Sequence, residues 1–144
     1  MKVHIKRINN TTPLPLYQTK GSVAFDIAAA TNITIPPQSL GFIPTGLIIE
    51  TPPGYMLMLA SRSSTPKKKG LLIPHGIGIV DQDYCGEEDE LSIQVFNFTK
   101  ENVEVKAGER IAQGLFVRVE KAEWQEVQTM NKKSRGGFGS TGLI

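Results

Sequence analysis

Leu91-Ser92-Ile93-Gln94-Val95-Phe96-Asn97-Phe98 decides the fold. Leu91, Ile93 and Val95 recur at every second position, so an extended chain puts their side chains on one face. Similar short runs, rich in β-branched residues, fill the rest of the chain, and helical spacing is almost absent. Pro36-Pro37, Pro52-Pro53-Gly54, Lys69-Gly70 and Ala107-Gly108 punctuate them as turns. Strands are expected over residues 3–8, 24–29, 33–35, 41–44, 46–50, 54–60, 71–73, 77–80, 91–98, 103–105, 110–117 and 122–126. Many short strands at close spacing imply an all-β, antiparallel sandwich or barrel, with at most one short helix near residues 63–69.

The bulk properties set limits on partners. A chain of 144 residues with 40% hydrophobic content suits one domain with a real core. That domain is expected over residues 1–128, followed by a glycine-rich arm over 129–144 where apolar periodicity stops. The net charge of +2 comes from scattered basic residues and does not call for nucleic acid. The one basic cluster, Lys67-Lys68-Lys69, reads either as a solvated loop or as a phosphate-steering patch. No run reaches the ~18 apolar residues of a membrane span, and the N-terminus has no apolar signal region. A cytoplasmic protein with no membrane partner is expected. Sequons at Asn10, Asn32 and Asn97 then read as chance matches. The lone cysteine, Cys85, reads as an incidental residue on an exposed turn, and no Cys/His cluster offers direct ligands to a metal.

Five clusters carry chemistry. In Gly78-Ile79-Val80-Asp81-Gln82-Asp83-Tyr84-Cys85-Gly86 an apolar strand ends in carboxylates, an aromatic and a glycine turn. Asp81, close to the sheet, is expected to be partly desolvated and able to polarise a water. Tyr84 can pack on a sugar or base; an ordinary acidic hairpin is the plainer reading. Ser61-Arg62-Ser63-Ser64 ends another apolar strand and reads either as an oxyanion-binding corner or as an N-cap with extra serines. Gln113 is a polar residue inside an apolar strand, bonded either to a neighbouring backbone or to a phosphate. Asp26, alone among small apolar residues, needs a cation, and Arg62 or Arg110 can form that salt bridge. Finally, Ser134-Arg135-Gly136-Gly137-Phe138-Gly139-Ser140-Thr141-Gly142 offers bare N–H groups, an arginine and hydroxyls to a phosphate, and a ring to a base.

Taken in chain order, from Asp26 through residues 61–64, 78–86 and 108–113 to the glycine-rich tail, the five clusters resemble the motifs of the trimeric deoxyuridine triphosphatases, the dUTPases, over essentially the whole chain. The resemblance implies a β jelly roll and a homotrimer with active sites shared between subunits. It implies hydrolysis of dUTP to dUMP and pyrophosphate, which lowers dUTP and supplies dUMP for dTMP synthesis. The Mg²⁺ cofactor would be held by the triphosphate and water without direct protein ligands. By resemblance, Asp81 activates the attacking water and Tyr84 packs on the deoxyribose. The backbone of Ile77, Gly78, Ile79 and Val80, with His75 near it, reads the uracil. Arg62, Ser63, Ser64 and Gln113 hold phosphate oxygens. Phe138 stacks on uracil while Gly139, Ser140 and Thr141 meet the γ-phosphate, with Arg135 or Lys133 as the tail's cation.

The chain departs from the family pattern at Cys85, at His75 and in the acidic turn Gly86-Glu87-Glu88-Asp89-Glu90. The related dCTP deaminases are one alternative. They carry a glutamate where this chain has Val95. A non-catalytic nucleotide-binding module of the same fold is another.

Overall fold

The computed structural model describes residues 1–137. Among them the elements run β1 (Ile5–Arg7), β2 (Phe25–Ala28), β3 (Ile33–Ile35), β4 (Leu40–Pro44), β5 (Leu47–Ile49), β6 (Tyr55–Ser61), α1 (Thr65–Lys69), β7 (Leu71–Leu72), β8 (Ile77–Val80), β9 (Ser92–Asn97), β10 (Val103–Val105) and β11 (Arg110–Arg118). All ladders between them are antiparallel. One sheet has the order β2-β11-β6-β8 and a second the order β4-β9-β7; β1-β5 and β10-β3 form two-stranded ribbons. This is the all-β, antiparallel architecture expected from the strand pattern, in the jelly-roll-like form that the resemblance implies.

The period-two stretch works as its spacing requires. Leu91, Ile93 and Val95 point inward and are buried, meeting Leu57, Ile43, Leu71 and Ile27 in one core. The next inward position is Asn97, a polar residue with no exposed surface. Its amide N–H₂ donates to the carbonyls of Ile35, Pro36 and Glu101 at 3.0, 3.0 and 2.8 Å. Its carbonyl accepts the N–H and hydroxyl of Thr99 at 2.9 and 2.7 Å. A buried amide left unpaired costs about 1–3 kcal/mol, so this satisfied set lets Asn97 sit in the core and tie the β9–β10 turn to β3. It also takes Asn97 out of reach as a glycan acceptor.

Helix α1 is a single turn. Ser64 is its N-cap, Pro66 stands in its first turn, and Gly70 ends it at φ 68° with its N–H donating to the Pro66 carbonyl. The helix thus starts later than residue 63, because Pro66 fixes where the first turn can begin.

The expected strand over 122–126 does not form. After β11, residues 119–137 carry no strand or helix, and Trp124 is 94% exposed. An alternating segment becomes a strand only when another backbone takes up its N–H and C=O groups, and none of the described strands pairs with it. The irregular segment therefore begins before residue 129.

Candidate active site

The strand order of the larger sheet sets the polar clusters side by side. β2 carries Asp26. β11, next to it, carries Arg110 and Gln113. β6 runs out at Ser61 into Arg62, Ser63 and Ser64, and β8 leads into Asp81.

The first group forms around Asp26. Its carboxylate accepts from Arg62 Nε at 2.9 Å and from Arg110 Nη1 at 2.9 Å, with its side chain only 11% exposed. A register shift in β11 between Arg110 and Ala112 breaks the regular pairing with β2 there, and such a bulge re-aims the side chains beside it. Arg62 Nη1 also donates to the Arg110 carbonyl at 3.2 Å. A carboxylate this buried requires its cations, and two guanidinium groups share the task. Arg62 keeps Nη2 unused among the described residues. Gln113 Nε2 donates to the Ser61 carbonyl at 3.0 Å, so its amide is bound to a neighbouring backbone. Ser63 is exposed. The Ser64 hydroxyl, although at the N-cap, makes no capping bond and stays available.

The second group lines a cleft of about 560 Å³ between β8 and strands β4 and β9. His75, Ile77, Gly78, Ile79, Val80, Asp81 and Tyr84 all border it. β8 is the edge strand of its sheet among the described residues, so one row of its N–H and C=O groups has no strand partner. Val80 turns its side chain into the core, while Ile77 and Ile79 stand outward and exposed. Gly78 lies against Leu59, where an added Cβ would come within 3.2 Å. His75 Nδ1 bonds the Ile77 carbonyl, which ties the loop before β8 to its first residue.

Asp81 differs from the expected partly desolvated carboxylate. It is exposed, and no hydrogen bond or ion pair reaches it among the described residues. The reason is topological: the residue leaves an edge strand, and no described strand pairs beyond that edge. Gln82 was not singled out by sequence, yet its Nε2 donates to the Tyr55 carbonyl at 2.9 Å and fixes the loop that carries Asp81. Phe42, Ser92 and Gln94 also line the cleft unannounced. Their only signal was the alternation of β4 and β9. Cys85 is half-buried, not exposed, with its thiol 3.6 Å from the Gln82 carbonyl. Val95, 2% exposed, is a core residue.

Asp81 and the Arg62 corner do not meet among the described residues of one chain. Ala60 pairs with Ile77 and Leu57 with Val80, so the Arg62 corner lies beyond the start of β8 and Asp81 beyond its end. At about 3.3 Å per residue along β6, that separates them by roughly 20 Å. Arg135 and Lys133 are exposed. Phe138, Gly139, Ser140 and Thr141 lie outside the described residues. Among the described residues no three His, Cys, Asp or Glu side chains converge as a metal site, and no helix is long and apolar enough to cross a membrane.

Comparison with known proteins meets this geometry. The family model described as dUTPase matches residues 10–142. The deoxyuridine 5'-triphosphate nucleotidohydrolase of Helicobacter pylori (strain P12) is 36% identical over 145 residues, covering 99% of this chain and 98% of that protein. Its namesake from Lactococcus lactis is 38% identical over 132 residues, covering 90% and 87%. Among solved structures, Staphylococcus bacteriophage 80alpha dUTPase with dUPNHPP superposes with a TM-score of 0.86 at 26% identity, covering 99% of each chain. With the fold, the cluster order and these relatives in agreement, the chain belongs to the dUTPase family.

Proposed function

We propose that this protein hydrolyses dUTP to dUMP and pyrophosphate, with water attacking the α-phosphorus. The observation that carries the reading is Asp81: a bare carboxylate at the mouth of a cleft, beside Tyr84 and the unpaired edge of β8. An unpaired carboxylate can accept a proton from a water and aim its lone pair at phosphorus, work worth roughly 10²–10⁴-fold in rate. The free edge of β8 can meet the donor and acceptor edge of uracil with backbone groups. A close fit of that backbone to the base would reject a 5-methyl group. Tyr84 forms the wall against the sugar. Phosphoryl transfer otherwise needs positioning and charge neutralisation, which Arg62 Nη2 and the Ser63 and Ser64 hydroxyls supply.

Mg²⁺ fits this donor set when carried on the triphosphate and water, since Mg²⁺ keeps several waters and binds phosphates readily. Bound so, it would supply charge neutralisation to the phosphates and the leaving pyrophosphate. The protein's share is to hold the phosphates at the Arg62 corner and the water at Asp81.

The separation of the two groups supports a homotrimer with shared sites: Asp81 and Tyr84 of one copy face the Arg62 corner of another. The exposed apolar side chains Leu40, Phe42, Ile77 and Ile79 give such copies a surface to bury. The arm from Ser134 onward completes the site as a lid, with Phe138 over the base, Ser140 and Thr141 at the γ-phosphate, and Arg135 or Lys133 as its cation. Val95 in the core, with no acidic residue in β9, supports hydrolysis over deamination of dCTP.

The test is pyrophosphate release from dUTP with and without Mg²⁺, beside ammonia release from dCTP. The expected result is Mg²⁺-dependent pyrophosphate and no ammonia; ammonia without pyrophosphate would overturn the reading. Deleting residues 134–144 is expected to lower dUTP turnover on the order of 10²-fold by leaving the reacting groups misplaced. Unchanged turnover would end the lid's role.

A further inference from the structure

The acidic turn between Tyr84 and β9 has no part in the site so far, yet it is built as a brace. Asp89 Oδ2 accepts the Gly86 N–H at 2.7 Å, and the Asp89 N–H donates back to the Gly86 carbonyl at 3.1 Å. Those two bonds close the turn on itself. Glu90 then anchors it to the body of the fold. Its Oε1 accepts the Gly46 N–H at 2.6 Å, in a half-buried position. Gly46 sits at φ 65° in the turn between β4 and β5, a conformation that suits glycine. Around that point Thr45 donates its hydroxyl to the Leu91 carbonyl at 2.6 Å, and the Leu91 N–H donates to the Leu47 carbonyl at 2.8 Å. The anchor is therefore set in a rigid, buried junction.

The backbone of the same Glu90 carries the consequence. Its carbonyl accepts the Tyr84 hydroxyl at 3.1 Å. Tyr84 is 43% exposed and borders the cleft, so packing alone does not fix its ring. We infer that Asp89 and Glu90 are positioning residues that aim Tyr84, and so set the discrimination between a 2′-deoxyribose and a ribose. This rests on the proposed dUTP hydrolysis. The physical reason is that exclusion of one hydroxyl depends on where a wall stands to within about 1 Å, and displacements of that size change rates by up to 10²-fold. A charge-assisted bond to a half-buried N–H is strong enough to hold such a wall. The side chain of Glu87, paired only with Lys6 at the surface, plays no part.

The experiment compares kcat/KM for dUTP and UTP in wild type, Asp89→Ala, Glu90→Ala, Glu90→Gln and Tyr84→Phe. Both alanine variants are expected to lose about tenfold in the dUTP-to-UTP ratio, chiefly through gained UTP turnover. Glu90→Gln keeps an acceptor for Gly46 and is expected to keep the wild-type ratio. Tyr84→Phe, which removes the held hydroxyl, is expected to lose the same factor, and adding Glu90→Ala to it should cost nothing further. Ratios that stay at the wild-type value in both alanine variants, or equal losses on both nucleotides, overturn the inference. If Glu90→Ala fails to fold, Asp89→Ala in the surface turn decides alone. A wild type inert on dUTP overturns the activity itself, whereas an active wild type with unmoved ratios overturns only the positioning role.

Discussion

Asp26 and Asp81 both stand beside apolar strand residues, and the fold treats them in opposite ways. Asp26, its side chain nearly buried on β2, accepts a guanidinium N–H at each carboxylate oxygen. Asp81 leaves an edge strand into solvent with no partner among the described residues. A carboxylate that must be neutralised to be buried is tied to structure. One that the fold leaves unpaired keeps its lone pairs open to a water. In the proposed reading, the contrast separates a residue that holds the Arg62 corner together from one that acts on substrate.

The comparison can be broken by exchanging the roles. The largest effect is expected from Asp81→Asn, which should cost roughly 10²–10⁴-fold in kcat for dUTP while leaving the melting temperature in place. Loss of stability in step with activity would mean Asp81 is structural after all. Ser64→Asp comes next: aspartate is as good an N-cap as serine, so the fold should persist, yet a carboxylate in the phosphate corner repels the triphosphate. Its KM for dUTP should rise about tenfold or more, as a like charge set against the phosphates would require. Asp26→Ala should act mainly on stability, losing about 1–3 kcal/mol because Arg62 and Arg110 are left without their counter-charge in a partly buried place. Thermal melting reads this directly; an unaltered melting temperature would sink the structural assignment.

The smallest effect sharpens the comparison from the surface. Lys6 bonds to Glu87 and holds its carboxyl below the ordinary value. A lowered carboxyl favours the folded state above its ordinary titration range and loses that contribution as pH falls through the lowered value. Because the pair lies at the surface, with Glu87 in water, Lys6→Ala should move the Glu87 titration upward by NMR and leave melting and activity unchanged. A clear loss of stability would show that surface charge carries more of this fold than its sheets.

Much of the fold was legible because its signals are local. The strands at Ile77–Val80 and Val103–Val105 end where their alternation ends. Asp26 was legible as a salt-bridge residue because a charge among small apolar neighbours has few alternatives. What stayed hidden depends on pairs far apart in the chain. The exposure of Asp81 follows from β8 being an edge strand, and the distance from Asp81 to Arg62 follows from the β6–β8 register. The Gly46–Glu90 bond spans 44 residues, and no local composition announces it. Residues 122–126 failed as a strand for the same reason: alternation gives a face, and a partner must come from elsewhere.

The most direct test of the central claim mixes two broken copies. Asp81→Asn and Ser64→Asp, each expected to keep about a tenth of wild-type activity or less at dUTP well below KM, are unfolded and refolded together in equal amounts, and pyrophosphate release is measured at that low dUTP. If a site takes Asp81 from one copy and the Arg62–Ser64 corner from another, the mixture regains roughly a quarter of wild-type activity, the chance that a shared site draws both halves intact. If both groups serve from the same chain, every site holds one broken half, and the mixture stays as inactive as its parts.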